Sequence, residues 1–113
     1  MIKIYGIKNC DSVKKATNFF KKHSLEYELF DFKEKEVTLE MINRWLEKTD
    51  LKTLFNSRST TYRTLNLKAL NPNDQEKKEW LAKENLLIKR PVVVHNDTLL
   101  VGFNEENYKG VFL

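Results

Sequence analysis

The stretch that decides the fold stands at the start of the sequence, as Met1-Ile2-Lys3-Ile4-Tyr5-Gly6-Ile7-Lys8-Asn9-Cys10-Asp11-Ser12-Val13-Lys14-Lys15-Ala16-Thr17. Apolar residues around Lys3 indicate a strand of about five residues. A turn containing Gly6 follows, and Cys10, the only cysteine, lies where an amphipathic helix begins. Unpaired backbone N–H groups and the helix dipole favour the thiolate there, which is the nucleophilic form of cysteine. The sequence therefore predicts a reactive thiol at a strand-to-helix turn.

Length and composition are those of an ordinary globular protein. The 113 residues are 41% hydrophobic and 32% charged, which excludes disordered and collagen-like classes and predicts one domain. The net charge is +4, and interspersed Lys and Glu residues predict a solvated surface with no direct nucleic-acid partner. A single cysteine cannot form an internal disulfide, which favours a reducing compartment. Without a signal peptide or an apolar run of about 18 residues, we expect a cytoplasmic protein with no membrane attachment.

Hydrophobic periodicity predicts a β-α-β unit at the N terminus. Residues 11–23 have a helical pattern in which Val13, Ala16, Phe19 and Phe20 share one face. Residues 25–32 are aromatic and apolar in alternation with acidic residues, which indicates a second strand. A helix of this length makes a right-handed crossover, so the two strands should be parallel.

The rest of the chain predicts helices followed by a hairpin. Thr38 should cap a helix that ends near Asp50, residues 51–70 should form one or two short helical turns with loops, and residues 74–85 should form another helix. Residues 92–95 and 98–101 flank the turn Asn96-Asp97 and predict an antiparallel hairpin. A last short helix should run over residues 104–108. The predicted class is α/β, with a mixed four-stranded sheet flanked by helices.

Four separated motifs resemble the ArsC/Spx family, and most of all its YffB-type branch, which shares the opening Tyr-Gly-Ile-Lys-Asn-Cys. They are Gly6-Ile7-Lys8-Asn9-Cys10-Asp11-Ser12-Val13-Lys14-Lys15-Ala16, Asn56-Ser57-Arg58-Ser59-Thr60-Thr61-Tyr62, Ile88-Lys89-Arg90-Pro91-Val92 and Leu100-Val101-Gly102-Phe103. The resemblance implies a single thioredoxin-like domain over residues 1–113 with a helical insertion at about 38–88. It also implies that Cys10 is a nucleophile, that Arg58 and Arg90 are anion ligands, and that Pro91 is a cis-proline.

Each of these residues also has an ordinary structural interpretation. A lone cysteine is usually a small buried hydrophobe, although Lys8 and Asn9 beside Cys10 indicate a partly exposed turn and complete the predicted anion-binding set. Lys8 either stabilises the thiolate or is simply solvated. Arg58 is either a ligand or a surface arginine, and an X–Pro bond such as that before Pro91 is more often trans.

Two positions depart from the family pattern and limit the function that it implies. Glutaredoxin-coupled arsenate reductases use a third arginine just after the last strand, where this chain has Gly102. Spx-type regulators commonly carry a Cys-x-x-Cys pair at the helix start, and the second position here is Val13. An internal disulfide switch is thus impossible. The two distant histidines, His23 and His95, give no metal-ligand spacing with Cys10, so no metal site is expected.

The sequence and the resemblance together lead to one main hypothesis and two alternatives. The main hypothesis is a thiol-dependent oxidoreductase in which Cys10 forms a covalent intermediate with a small oxyanion or a mixed disulfide. Glutathione, as a co-substrate and not a tightly bound cofactor, or a glutaredoxin-like partner would resolve it. The alternatives are an Spx-like regulatory protein that contacts RNA polymerase, and a weak or true glutaredoxin-coupled arsenate reductase.

Overall fold

Four strands form one mixed sheet in the computed structural model, which describes residues 1–113. They are β1 (Ile2–Gly6), β2 (Tyr27–Asp31), β3 (Val92–His95) and β4 (Thr98–Val101), in the order β2-β1-β3-β4. Strands β1 and β2 are parallel, whereas β3 is antiparallel to both β1 and β4. The predicted β-α-β unit, the hairpin and the thioredoxin-like sheet are confirmed.

Seven α-helices accompany the sheet. They are α1 (Asp11–Lys22), α2 (Leu39–Trp45), α3 (Leu51–Leu54), α4 (Thr60–Thr64), α5 (Leu67–Leu70), α6 (Asp74–Lys83) and α7 (Glu105–Phe112), with a 3-10 turn at Asn85–Leu87. The chain divides into two compact units, one of Met1–Glu34 with Arg90–Leu113 and the other of Lys35–Lys89. The expectation of one domain over residues 1–113 stays a prediction.

The core of the first unit lies where α1 and α7 pack on the sheet. The four predicted apolar residues of α1 are all buried, because they recur at helical spacing on one face. The core cluster consists of Ile2, Ile4, Ala16, Phe19, Phe20, Val93 and Tyr108. The rings of Phe19 and Tyr108 meet edge to face at 5.6 Å between centroids, which joins the two helices.

The second unit, Lys35–Lys89, is helical and departs from the sequence predictions in its boundaries. The helix capped by Thr38 ends at Trp45 and not near Asp50. Asp50 instead accepts a hydrogen bond of 2.7 Å from the backbone N–H of Thr53 and so begins α3. Residues 51–70 hold three short helices where one or two turns were expected. The last of these, α5, begins after Asn66 and ends before Asn71, both of which have left-handed backbone angles.

Asn85 connects distant parts of this second unit. Its side-chain oxygen accepts from the backbone N–H of Val37 at 2.9 Å, and its side-chain nitrogen donates to the carbonyls of Val37 and Leu81. The predicted helix 74–85 accordingly stops at Lys83, since Asn85 belongs to the 3-10 turn. The final helix is longer than the expected 104–108, because Asn104 caps it and it continues to Phe112.

No helix has the length and apolar character required to cross a lipid bilayer. The side chains of His, Cys, Asp and Glu form no group of three or more that could hold a metal ion.

Candidate thiol site

Cys10 lies at the N-cap of α1, directly after the loop that leaves β1. Its backbone is extended, with φ of −102° and ψ of 127°, and its carbonyl accepts the first helical hydrogen bond, from Lys14 at 3.0 Å. The thiol is free and half-buried, and it makes no capping hydrogen bond to the helix. Cys10 is therefore at the helix start that the sequence predicted, beside the first turn of α1, whose backbone N–H groups have no partner within the helix.

A buried carboxylate fixes the loop that carries the thiol. Asp31, at the end of β2, is only 6% exposed. Its Oδ1 accepts from the backbone N–H of Lys33 at 2.8 Å, and its Oδ2 accepts from the backbone N–H of Lys8 at 3.2 Å. The hydrogen bond from Lys33 lowers the pKa of Asp31, assisted by the one from Lys8, while burial opposes them. Asp31 thus holds the loop two residues before Cys10.

Gly6 allows α1 and Arg90 to approach the end of β1. A Cβ at this position would lie 2.6 Å from Cγ2 of Val13 and 3.9 Å from Cβ of Arg90. The first contact is closer than real Cβ atoms permit, so the glycine is required by the first turn of the helix. Val13 lies one turn after Cys10. The Cβ of Arg90 is therefore near the end of β1 and the first turn of α1, the turn that Cys10 caps.

The Arg90–Pro91 peptide bond is cis, as the family resemblance implies. Pro91 is buried, and its carbonyl accepts from the backbone N–H of Gly102 at 2.8 Å. Gly102 has φ of 80°, a left-handed conformation that favours glycine. The hydroxyl of Tyr108 donates to the Gly102 carbonyl at 2.8 Å, and burial raises the pKa of that phenol. The backbone after the last strand is therefore firmly held.

Two predicted ligands in the loop are solvated. The ammonium of Lys8 pairs with Glu34 at 3.3 Å, and both side chains are largely exposed. This contact favours the solvated alternative for the Lys8 side chain, whose backbone N–H nevertheless anchors the loop. Asn9 is exposed.

Arg58, the remaining predicted ligand, belongs to the second unit. It is exposed and lies in the loop before α4, where its backbone N–H donates to Oδ1 of Asn56 at 3.1 Å. Cys10, Arg90, Pro91, Lys8 and Asn9 all belong to the first unit, so Arg58 is the only member of the predicted set outside it.

Sequence reasoning missed Asp31, although a signal was available. The residue ends a strand predicted to be parallel to β1, and in β1–β2 pairing it stands opposite Gly6. The carboxyl ends of parallel strands meet at one edge of a sheet, so an acidic residue there is placed beside the loop that leaves β1. Because acidic and apolar residues alternate along β2, Asp31 was interpreted as another charged residue of the surface.

Comparison with known proteins places these features in a family. An uncharacterized protein of Haemophilus influenzae is 37% identical over 113 residues, covering 99% of each chain. The global transcriptional regulator Spx of Listeria innocua is 26% identical over 96% of this chain and 85% of its own. The solved structure of a protein named YFFB superposes with a TM-score of 0.92 at 29% identity and covers all of both chains. The model of the ArsC family matches residues 5–111, and the chain belongs to this family.

Proposed function

We propose that the protein is a thiol-dependent oxidoreductase of the reducing cytoplasm that uses Cys10 as its only nucleophile. The observation that carries this proposal is the half-buried free thiol at the N-cap of α1, held by a loop that Asp31 anchors. Such a position combines access for a substrate with stabilisation of the thiolate. Membership of the ArsC family, whose name refers to arsenate reduction, supports the same class of chemistry.

The favoured reaction is the reduction of a mixed disulfide between glutathione and another thiol. The Cys10 thiolate attacks the glutathione sulfur, the S–S bond of the substrate breaks, and the released thiolate takes a proton. A second glutathione, or a glutaredoxin-like thiol, then attacks the Cys10–glutathione disulfide and restores the Cys10 thiolate. Overall, the mixed disulfide and one glutathione thiol become the free substrate thiol and glutathione disulfide, so the substrate sulfur is reduced and the sulfur of the incoming glutathione is oxidised. An external thiol is required because the chain has no second cysteine.

Arg90 and Arg58 supply the anion recognition in this proposal. The Cβ of Arg90 lies 3.9 Å from the position of a Cβ at Gly6, at the end of β1, which supports a role in orienting a carboxylate or oxyanion near the thiol. A guanidinium suits this work because it stays charged and donates paired hydrogen bonds to planar or tetrahedral oxyanions. Arg58 is assigned the same kind of ligand by the family resemblance.

The thiol is tested by alkylation at pH 7. Iodoacetamide should modify Cys10 of the folded chain up to about fivefold faster than Cys10 of the urea-unfolded chain, because a helix N terminus favours an anionic nucleophile by up to about 1 kcal/mol. Equal rates would remove the basis for an activated nucleophile. Mass spectrometry of the protein incubated with oxidised glutathione should then find one adduct, on Cys10.

Arg90 is tested by comparing a charged and a neutral reagent. Iodoacetate carries a carboxylate, so its alkylation rate relative to iodoacetamide reports on positive charge near the sulfur. Arg90→Gln should lower this ratio about threefold or more, whereas the matched change Lys22→Gln, in the last turn of α1, should leave it unchanged. The same decrease in both variants would assign the effect to net charge and not to Arg90.

A regulatory function is a second candidate, favoured by the match to Spx over 96% of this chain. An Spx-like protein would bind RNA polymerase, and the binding would persist in Cys10→Ala. A purified polymerase that is retained by the immobilised wild-type chain and by Cys10→Ala alike would favour this candidate over the oxidoreductase. Arsenate turnover with glutathione and glutaredoxin tests the third candidate. This chain has Gly102 where such enzymes use a third arginine, and no turnover above background would reject the candidate.

A further inference from the structure

One segment of the second unit carries the whole net charge of the protein. Between Leu51 and Asn73 the sequence has four of the twenty basic residues and no Asp or Glu. The other sixteen basic residues equal the sixteen acidic residues in number, so the +4 of the chain resides here. The even mixing of charges expected from the sequence therefore fails in this segment, and such a concentration attracts anions.

The basic segment forms a pocket of about 410 Å³. Its lining residues are Ser57, Arg58, Tyr62, Arg63, Asn66 and Lys68. Three of the six are cationic, the other three carry hydroxyl or amide groups, and no carboxylate lines the pocket. Neither Arg58 nor Lys68 forms a salt bridge, so their charges are not neutralised by the protein. We call this cavity the basic pocket.

Arg63 is held in place within the basic pocket. Its Nη1 donates to the carbonyl of Arg58 at 3.0 Å, and its Nη2 lies 3.4 Å from Oγ1 of Thr60. A guanidinium has five N–H donors, so three remain for a ligand. Holding a long side chain in one position before binding reduces the entropy that a ligand contact costs.

The charges of the basic pocket select the class of anion. Three cations without an opposing carboxylate match a dianion such as a phosphate group, which accepts hydrogen bonds on three oxygens. Glutathione fits less well, because its γ-glutamyl end carries an ammonium group that would find no acidic partner there. The chemistry therefore favours a phosphate group over a zwitterionic amino acid.

A second cavity, of about 530 Å³, adjoins the basic pocket, since Ser57 and Tyr62 line both. Phe55 contributes to this second cavity, and its ring meets that of Tyr62 edge to face at 6.0 Å between centroids. Two carboxylates, Asp50 and Asp74, and two lysines, Lys52 and Lys77, also line it, so its charges balance and it has no excess of positive charge for a second anionic group. A ring-shaped neutral or weakly basic group can pack on the half-buried Tyr62. We call this cavity the aromatic cleft.

We propose that the two cavities together bind a phosphomonoester with a ring-shaped organic part. The phosphate group occupies the basic pocket, where Arg58, Arg63 and Lys68 bind it, and the ring enters the aromatic cleft against Tyr62. The binding is non-covalent and requires nothing of Cys10. The proposal assigns a phosphate group as the ligand of Arg58. Its test measures binding to the second unit and does not depend on the reactivity of the thiol.

The test is an NMR titration of the full ¹⁵N-labelled chain with phenyl phosphate, inorganic phosphate and phenol. Phenyl phosphate should bind saturably and shift the backbone amides of residues 57–68. Inorganic phosphate should bind about tenfold more weakly at the same amides, since stacking of one ring contributes about one order of magnitude. Equal affinities for the two phosphates, or no saturable binding of phenyl phosphate, would overturn the proposal.

Variants assign the binding to the two cavities. Lys68→Gln, which loses no hydrogen bond of the protein, should weaken phenyl phosphate binding about tenfold, as should Arg63→Gln. Arg44→Gln makes the same charge change at an exposed position of α2 outside both cavities and should weaken it less than twofold. Tyr62→Ala should abolish the preference for phenyl phosphate over inorganic phosphate. Equal effects of Lys68→Gln and Arg44→Gln would show general charge attraction and refute the site.

Discussion

Replacing Asp31 by Asn tests how strongly the thiol-bearing loop depends on one carboxylate. The side chain is 6% exposed and accepts two backbone hydrogen bonds, from Lys33 and from Lys8. Asn keeps one oxygen but presents an NH₂ group to the other N–H donor. One charge-assisted bond is lost and a second is weakened, each worth about 1.5–3 kcal/mol. Because part of this is recovered by water at the loop, we expect Asp31→Asn to destabilise the protein by about 2 kcal/mol at pH 7.

The stabilisation by Asp31 should depend on pH in a defined direction. The hydrogen bond from Lys33 holds the pKa of Asp31 below its ordinary value in the folded protein. A carboxyl group with a lowered folded pKa stabilises the fold above its unfolded pKa of about 3.9, and this contribution disappears as the pH falls through the folded pKa. The stability difference between wild type and Asp31→Asn should thus be constant from about pH 7 to pH 5 and shrink below about pH 4.

Urea denaturation followed by circular dichroism measures this difference. Asp97→Asn, at the exposed hairpin turn, makes the same chemical change and should alter the free energy of unfolding by less than about 0.5 kcal/mol. Tryptophan fluorescence reports on Trp45 and Trp80 of the second unit, so coincidence of the two probes checks that unfolding is two-state. The account of the loop would be refuted if Asp31→Asn were as stable as Asp97→Asn, or if the stability difference between wild type and Asp31→Asn were undiminished at pH 3.

Two further predictions concern the backbone. Gly102→Ala should lower the free energy of unfolding by about 1–2 kcal/mol, because φ of 80° is unfavourable for alanine. A Cβ at Gly110 in α7 meets no atom within 4 Å, so Gly110→Ala should be neutral or stabilising. Thermal unfolding compares the two variants, and an equal effect would contradict the conformational argument. Asn85→Ala removes the side-chain bonds to Val37 and Leu81 and should cost about 2–3 kcal/mol by urea denaturation, while Asn43→Ala, exposed in α2, serves as control. A loss below about 0.5 kcal/mol would show that Asn85 does not join these segments.

The parts of the fold that the sequence predicted correctly are those fixed by local periodicity. Helix α1 repeats apolar residues at helical spacing, and the hairpin combines two short apolar strands with the turn Asn96-Asp97, so each needs only neighbouring residues to be recognised. The short helices between residues 51 and 70 lack such a period. Their limits are instead set by single residues such as Asn66, whose left-handed conformation, with φ of 54°, cannot be predicted from hydrophobic periodicity.

In the site, too, the sequence predicted the features that depend on neighbouring residues and missed those that depend on distant ones. Cys10 was found because a lone cysteine at a helix start is visible in a dozen residues of sequence. Asp31 was missed because its bond to Lys8 spans 23 positions, and the Asn85–Val37 bonds span 48. Contacts of this kind depend on how strands and helices come together, and the spacing of residues along the chain does not contain that information.

The two departures from the family pattern are built into the packing of the first unit. Val13 is 1% exposed and fills the space above Gly6, so a cysteine at this position would be buried under the first turn of α1. Gly102 has a left-handed backbone and a carbonyl held by Tyr108, so an arginine there would cost about 1–2 kcal/mol in backbone conformation. The chain therefore has no second sulfur in the first turn of α1 and no arginine directly after the last strand. For this reason the proposed function takes its resolving thiol from another molecule.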